Sequence, residues 1–233
     1  MRKSLLASAA LFLFPLAAHA ADKVAEAPPT GFTWQGPYIG AHAGFGWGTE
    51  HDDQSRFFPT GPGPGPGDRY NLDGFIGGVH AGYNWQLGSL VYGLEADLDA
   101  SNIKGGTNFD YGGYSGRLSF RNDIQGSARL RVGYALDRTL IYGTGGVAFA
   151  HGELTERPDG GGGIYRDDRT HVGWTIGSGV EYAFTDNWIG RLEGRYTSFG
   201  NRGYNMSDPG FSNYIYKVKF DQAVVNVGLS YKF

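Results

Sequence analysis

No cysteine occurs among the 233 residues, so no disulfide holds this chain together. A chain without disulfides must be stabilised by its own packing or by a bilayer. Also missing is any block of basic residues: 20 Lys and Arg stand against 23 acidic residues, a net charge of −3. That balance argues against nucleic acid as a partner. Past the first twenty residues, no apolar run approaches the roughly 20 residues that a membrane helix needs. With a mean hydropathy of −0.34, hydropathy alone reads the chain as soluble. A β-barrel evades that test, because only alternate positions of its strands are apolar.

What is abundant is glycine (40 residues) and aromatic side chain (15 Tyr, 15 Phe, 5 Trp). The start is different in kind. Arg2 and Lys3 precede an apolar stretch from Leu5 to Leu16, broken only by Ser8 and Pro15, and Ala18-His19-Ala20 follows. A positive end, a short apolar run and a small-x-small site describe a signal peptide over 1–20, removed after Ala20. Residues 21–33, with Pro28-Pro29, read as a periplasmic linker, and 34–233 as one barrel domain.

Eight segments alternate apolar and polar residues, at about 37–48, 74–87, 90–101, 122–134, 139–151, 172–184, 188–198 and 218–233. In the second, Phe75, Val79, Ala81, Tyr83 and Trp85 oppose His80, Asn84 and Gln86. In the fourth, Ile124, Ala128, Leu130 and Val132 oppose Gln125, Ser127, Arg129 and Arg131. A period of two means half-buried strands. The fifth segment is apolar on both faces, and its inward face is not assigned. Long gaps (49–73, 102–121, 152–171, 199–217) alternate with short ones at 88–89, 135–138 and 185–187. All ten prolines lie outside strand interiors, where proline breaks the ladder. The pattern predicts an all-β fold: an eight-stranded antiparallel up-and-down transmembrane β-barrel with short periplasmic turns and four long extracellular loops.

The polar faces carry Glu95, Asp97, Asp99, Arg129, Arg131, Glu181, Arg191, Glu193 and Arg195 in mid-strand. Tryptophans, by contrast, sit at segment ends: Trp34, Trp47, Trp85, Trp174 and Trp188, joined by Tyr231. That placement suits two aromatic girdles around an outward apolar band, with the charges inward. Eight strands leave a lumen just wide enough for side chains to fill. The charges should then pair into a network, since unpaired buried charge is expensive.

The chain ends Val227-Gly-Leu229-Ser-Tyr231-Lys-Phe233, which resembles the C-terminal strand that the barrel assembly machinery of outer membranes reads. Three stretches together resemble the small porin-like outer-membrane surface antigens of α-proteobacteria, within the OmpA-like barrel superfamily. They are Trp34-Gln-Gly-Pro-Tyr-Ile-Gly40, the run Ala128 to Arg138 leading into Leu140 to Gly146, and the last strand. The resemblance implies an integral outer-membrane protein of a Gram-negative envelope, embedded in outer-membrane lipid. Its loops would be exposed antigens able to meet a host or surface ligand. Some members of the family bind haem. The Gly-Pro run at 61–67 departs from the family pattern.

Specific chemistry is sparse. Gly143-Thr-Gly-Gly-Val-Ala148 matches a dinucleotide fingerprint, but strand pattern continues through it where a helix is required. His42 and His80 share the inward face of adjacent strands, and a hairpin pairing 48 with 74 sets them opposite each other. They are weak candidates for haem or a metal, with Glu95 nearby, or form a hydrogen-bonded lumen pair. His51, Asp52 and Asp53 suit a cation or a solvated loop, and Asp167 and Asp168 between Arg166 and Arg169 neutralise themselves. Tyr111, Tyr114, Tyr165, Tyr204, Phe211 and Tyr214 read as loop aromatics, either contacting partners or folding onto the rim. Ser178 and Ser198 point toward lipid with no histidine on that face, so no hydrolytic triad is expected and no catalytic residue is assigned. Three functions fit: a structural and surface-interaction protein, a narrow channel for small solutes or ions, and a haem- or metal-binding surface protein.

Overall fold

The computed structural model describes residues 31–52, 69–111, 114–159, 164–206 and 214–233. The leader, most of the linker, Asp53, the Gly-Pro run and Phe211 lie outside the described residues. Eight strands follow in order: β1 (Gly36–Asp52), β2 (Arg69–Leu87), β3 (Leu90–Tyr111), β4 (Tyr114–Leu136), β5 (Thr139–Pro158), β6 (Tyr165–Ala183), β7 (Trp188–Met206) and β8 (Tyr214–Lys232). Each pairs antiparallel with its sequence neighbour, and β8 pairs with β1 to close the barrel.

The strands are steeply tilted. One row of partners runs Tyr38, Gly82, Glu95, Arg129, Gly146, Thr175, Thr197, Gln222 and returns to β1 at Gly48, ten residues beyond its start. That stagger sets the barrel's width and therefore what its lumen can hold. The tight connections need left-handed backbone: Gly88 (φ 59°) turns β2 into β3, and Asp137 (φ 52°) turns β4 into β5.

The outer wall is apolar across its middle, with Ile39, Val79, Leu94, Leu130, Val147, Ile176 and Val227 pointing out. The ambiguous fifth segment resolves as Leu140, Tyr142, Thr144 and Ala148 inside, with Ile141, Val147 and Phe149 outside. Its inner side chains are apolar because the lumen itself is apolar at both ends. Trp34, Val91, Ala135, Leu140, Tyr142, Ala183 and Ile189 pack together inside the short-turn end. Leu72, Ile103, Phe120, Ala148, Ala150, Phe199 and Phe220 do so toward the other end. The charged residues lie between these two plugs. Trp34 is thus a correction: placed in the girdle by its sequence position, it is fully buried in the lumen plug.

The long gaps are shorter than the alternation indicates, because the ladder runs on through them: Thr49 pairs with Asn71, Asn108 with Arg117, Thr155 with Arg166 and Tyr204 with Tyr216. The four long connections shrink to 53–68, 112–113, 159–164 and 207–213. Pairing is made by the backbone, so it survives where the period-two pattern fades. Bulges accompany the change. Between Asn122 and Ile124 the inward set of β4 switches from even to odd numbers, so that Phe120 on the loop side of the bulge turns into the lumen. The wall also divides there. The β6–β7 ladder ends at Gly173–Phe199 and the β2–β3 ladder at Asp73–Lys104, while the other pairings continue. Among the described residues, the long-loop end is therefore two four-stranded sheets, β7-β8-β1-β2 and β3-β4-β5-β6.

Candidate functional site

The mid-lumen belt is where polar chemistry concentrates. Alternation brings each member inward, and the tilt brings β3, β4, β6 and β7 residues to similar height. Glu95 is the hub. It accepts from Arg129 Nη2 at 2.5 Å, from Arg131 Nη1 at 3.3 Å, from Tyr38 Oη at 2.7 Å, and from Arg191. Glu181 accepts from Arg131 Nη2 and Arg191 Nε, both at 2.8 Å. Glu193 accepts from Arg129 Nη1 at 2.7 Å and Tyr142 Oη at 2.8 Å. Arg195 straddles two carboxylates of β3, Asp97 at 2.8 Å and Asp99 at 2.9 Å. Ser127 Oγ donates to Asp97 as well.

All nine charged residues expected in the lumen are buried, and each is ion-paired. They comprise five carboxylates (Glu95, Asp97, Asp99, Glu181, Glu193) and four guanidiniums (Arg129, Arg131, Arg191, Arg195). Each guanidinium bridges two or more carboxylates, which ties four strands across the lumen. Arg131 also lies 4.4 Å from the centre of the Tyr142 ring and 5.4 Å from that of Tyr38. Tyr38 and Tyr142 were not singled out from the sequence, and Ser127 only as one of the polar-face residues of the fourth segment. For two of them the parity was there to be read: Tyr38 shares a face with His42, and Ser127 with Arg129; Tyr142 lies in the fifth segment, whose faces the pattern does not separate.

His42 and His80 do meet, by a different register. Gly46, not Gly48, pairs with Gly74, so His42 stands opposite Gly78 and His80 opposite Gly40. Glycine opposite each ring leaves room for the two to lean together. A β-carbon on Gly40 would lie 2.5 Å from His80 Nε2. The Nδ1 atoms are 3.1 Å apart, His42 Nε2 is 2.6 Å from Asp99 Oδ1, and His80 Nε2 is 2.7 Å from Ser230 Oγ. A carboxylate only accepts, so His42 carries its hydrogen on Nε2. With one hydrogen per ring, His80 donates through Nδ1 and accepts from Ser230 at Nε2. Every ring nitrogen thus has a partner, and a metal or haem iron would have to displace one. Among the described residues, no group of three or more His, Cys, Asp or Glu is disposed to hold a metal.

Outside, Trp47, Trp85, Trp174 and Trp188 are exposed. Trp85 stacks on Tyr92 and lies tilted against Tyr83, and Trp188 packs on Tyr231, which packs on Phe233. Leu229 and Phe233 face outward on the last strand. Ser178 faces outward as well. Ser198 is a second correction: it is buried among its neighbours, with Oγ donating to Asp221 at 2.6 Å. Strand continues through Gly143 to Ala148, so no helix faces a phosphate there. Arg169 pairs with Asp167 at 3.0 Å, and this cluster lies on β6 rather than in a loop. Tyr111, Tyr114, Tyr165, Tyr204 and Tyr214 likewise lie at strand ends.

A family model described as outer membrane protein beta-barrel domain matches residues 6–233. A 31 kDa outer-membrane immunogenic protein of Brucella melitensis biotype 1 is 37% identical over 245 residues, covering 100% of each chain. A 22 kDa outer membrane protein of Rhizobium leguminosarum bv. viciae is 31% identical over 210 residues, covering 89% of this chain and 82% of that one. Among solved structures, the outer membrane protein OprG of Pseudomonas aeruginosa superposes with a TM-score of 0.53 at 13% identity, covering 85% of this chain and 96% of that one. At that identity the likeness concerns the fold alone.

Proposed function

This chain belongs to the outer membrane protein beta-barrel domain family, and from that premise we propose that it is a sealed anchor which holds a divided β-sheet crown above the Gram-negative outer membrane. The barrel sits in outer-membrane lipid, and its relatives are named as immunogenic proteins of that membrane. The proposed role is structural and surface-directed: the crown and its loops are antigen and contact surface for host or environmental ligands. No reaction is assigned. Residues 1–20 act as a cleaved leader and 21–33 as a periplasmic lead-in. Leu229, Tyr231 and Phe233 form the strand end offered to the assembly machinery.

The observation that carries this reading is the mutual pairing of all nine lumen charges between two apolar plugs. Ions cross a pore through water or mobile charge, and here each carboxylate is already engaged by a guanidinium. The test is single-channel conductance of protein isolated from outer membranes, inserted in a planar bilayer and shown to be heat-modifiable on a gel. Silence is the expected result. Reproducible small steps would replace this reading with the narrow-channel one. A Soret shift on titration with haem, lost in His42→Ala, would favour the haem-binding one.

A further inference from the structure

The belt and the outer wall account for most of the barrel, but not for the five residues that precede β1. Gly31 to Gln35 do not run away from the barrel wall; they cross its periplasmic mouth. Trp34 is fully buried among Val91, Ala135, Leu140, Ala183 and Ile189, which come from β3, β4, β5, β6 and β7. Its backbone N–H donates to Gln86 Oε1 at the end of β2, 2.7 Å away. Its indole Nε1 donates to the carbonyl of Asp137 in the β4–β5 turn, 3.0 Å away. Next to it, the carbonyl of Thr33 accepts from Lys232 Nζ at the end of β8, 2.7 Å away. Phe32 stands edge-on to Trp34, with Lys232 Nζ 4.8 Å from its ring centre.

These three hydrogen bonds span 52, 103 and 199 residues of sequence. Their acceptors and donor lie on three different parts of the rim. Gln86, Asp137 and Lys232 are brought to one place only when β8 has paired with β1, the pairing of the two ends of the sheet. Lys232 is itself tied to that seam: it pairs with Tyr38, while the Phe233 N–H donates to the Pro37 carbonyl at 3.1 Å. The strap enters directly from β1, so it lies over the joint that must part first if the barrel is to open at this seam.

We infer that residues 31–35 are a latch that docks on the closed barrel, with Trp34 as its bolt, and that its contacts retard the parting of β1 from β8 rather than guide their pairing. Contacts absent from the folding transition state affect the unfolding rate alone. Contacts that demand the finished rim belong to that class. The inference does not depend on whether the lumen conducts.

The experiment compares unfolding and refolding rates of the full protein isolated from outer membranes, in lipid vesicles under urea, read as loss and recovery of the heat-modifiable band. Trp34 lies outside every strand, so Trp34→Ala leaves the ladder intact. Removing a fully buried tryptophan should speed unfolding by roughly a hundredfold or more and leave the refolding rate within about twofold. Trp34→Phe keeps the plug filled but loses the bond to Asp137, and should speed unfolding several-fold only. Lys232→Met removes the tie to Thr33 and should fall between the two. Slower refolding of Trp34→Ala with unchanged unfolding would overturn the inference, making the strap a template for closure. Unchanged rates in both directions would overturn it too, since Trp34 would then hold nothing together.

Discussion

Two kinds of packing fill one lumen. In the belt, Glu95, Arg129, Arg131 and Arg191 are held by directional bonds. Each bond defines where its partner must be. In the plugs on either side, Phe199, Phe220 and Leu72 at one end and Leu140, Val91 and Ile189 at the other are held by shape alone. The two respond to damage differently. A plug residue replaced by a smaller one leaves a cavity into which neighbours can partly relax. A belt residue removed leaves its former partners charged and buried with one counter-charge fewer, a loss that relaxation of the neighbours does not restore. A paired belt adds little net stability over an apolar filling, yet it is the least forgiving part of the molecule to single changes.

The sharpest way to break this comparison is Glu95→Ala, which takes a carboxylate from three buried guanidiniums and leaves Arg131 and Arg191 to share Glu181. It should cost about 3–5 kcal/mol, measured by urea unfolding followed through tryptophan fluorescence. Phe220→Ala, in the plug toward the crown, should cost about 3 kcal/mol. If the plug variant proved the worse of the two, the distinction between directional and shape packing would fail. Ser230→Ala tests the histidine chain at the belt's edge. It removes one neutral hydrogen bond, so a loss of about 1 kcal/mol is expected by the same assay. The smallest effect concerns the divided crown. Hydrogen exchange of backbone amides in 166–172 of β6 that face the β7 side should be faster than that of their β5-facing neighbours, because the β6–β7 ladder stops at Gly173. Equal protection on both sides would mean that the wall closes in solution.

Much of this was legible in the linear chain. Leu130, Val132, Arg129 and Arg131 alternate, and alternation in a strand can only mean two faces. The nine belt charges sit in mid-strand, and all nine are in the belt. Trp47, Trp85, Trp174 and Trp188 read as outward-facing from position alone, and all four are exposed. Other features were hidden for reasons that can be named. From Thr49 to Asp52 both strand faces carry polar residues, so the sequence stops alternating while the backbone goes on pairing with β2 and β8. Trp34 has the composition of a girdle residue but lies before β1, where no strand parity assigns it a face. Phe120 has the wrong parity for the lumen until the bulge at Asn122 to Ile124 reverses it.

By itself, the sequence determined the number of strands, their order, the two faces of all but the fifth, and which charges are enclosed. These follow from a local periodicity that is clear in seven of the eight segments. Only the tertiary structure decided who meets whom across the lumen: that Glu95 gathers three arginines, that His42 leans to His80 past Gly40 and Gly78, and that Trp34 crosses to the carbonyl of Asp137. Those contacts depend on the stagger that returns Tyr38's row to Gly48. Stagger is a property of the closed sheet, set by all eight registers at once and by none of the segments alone.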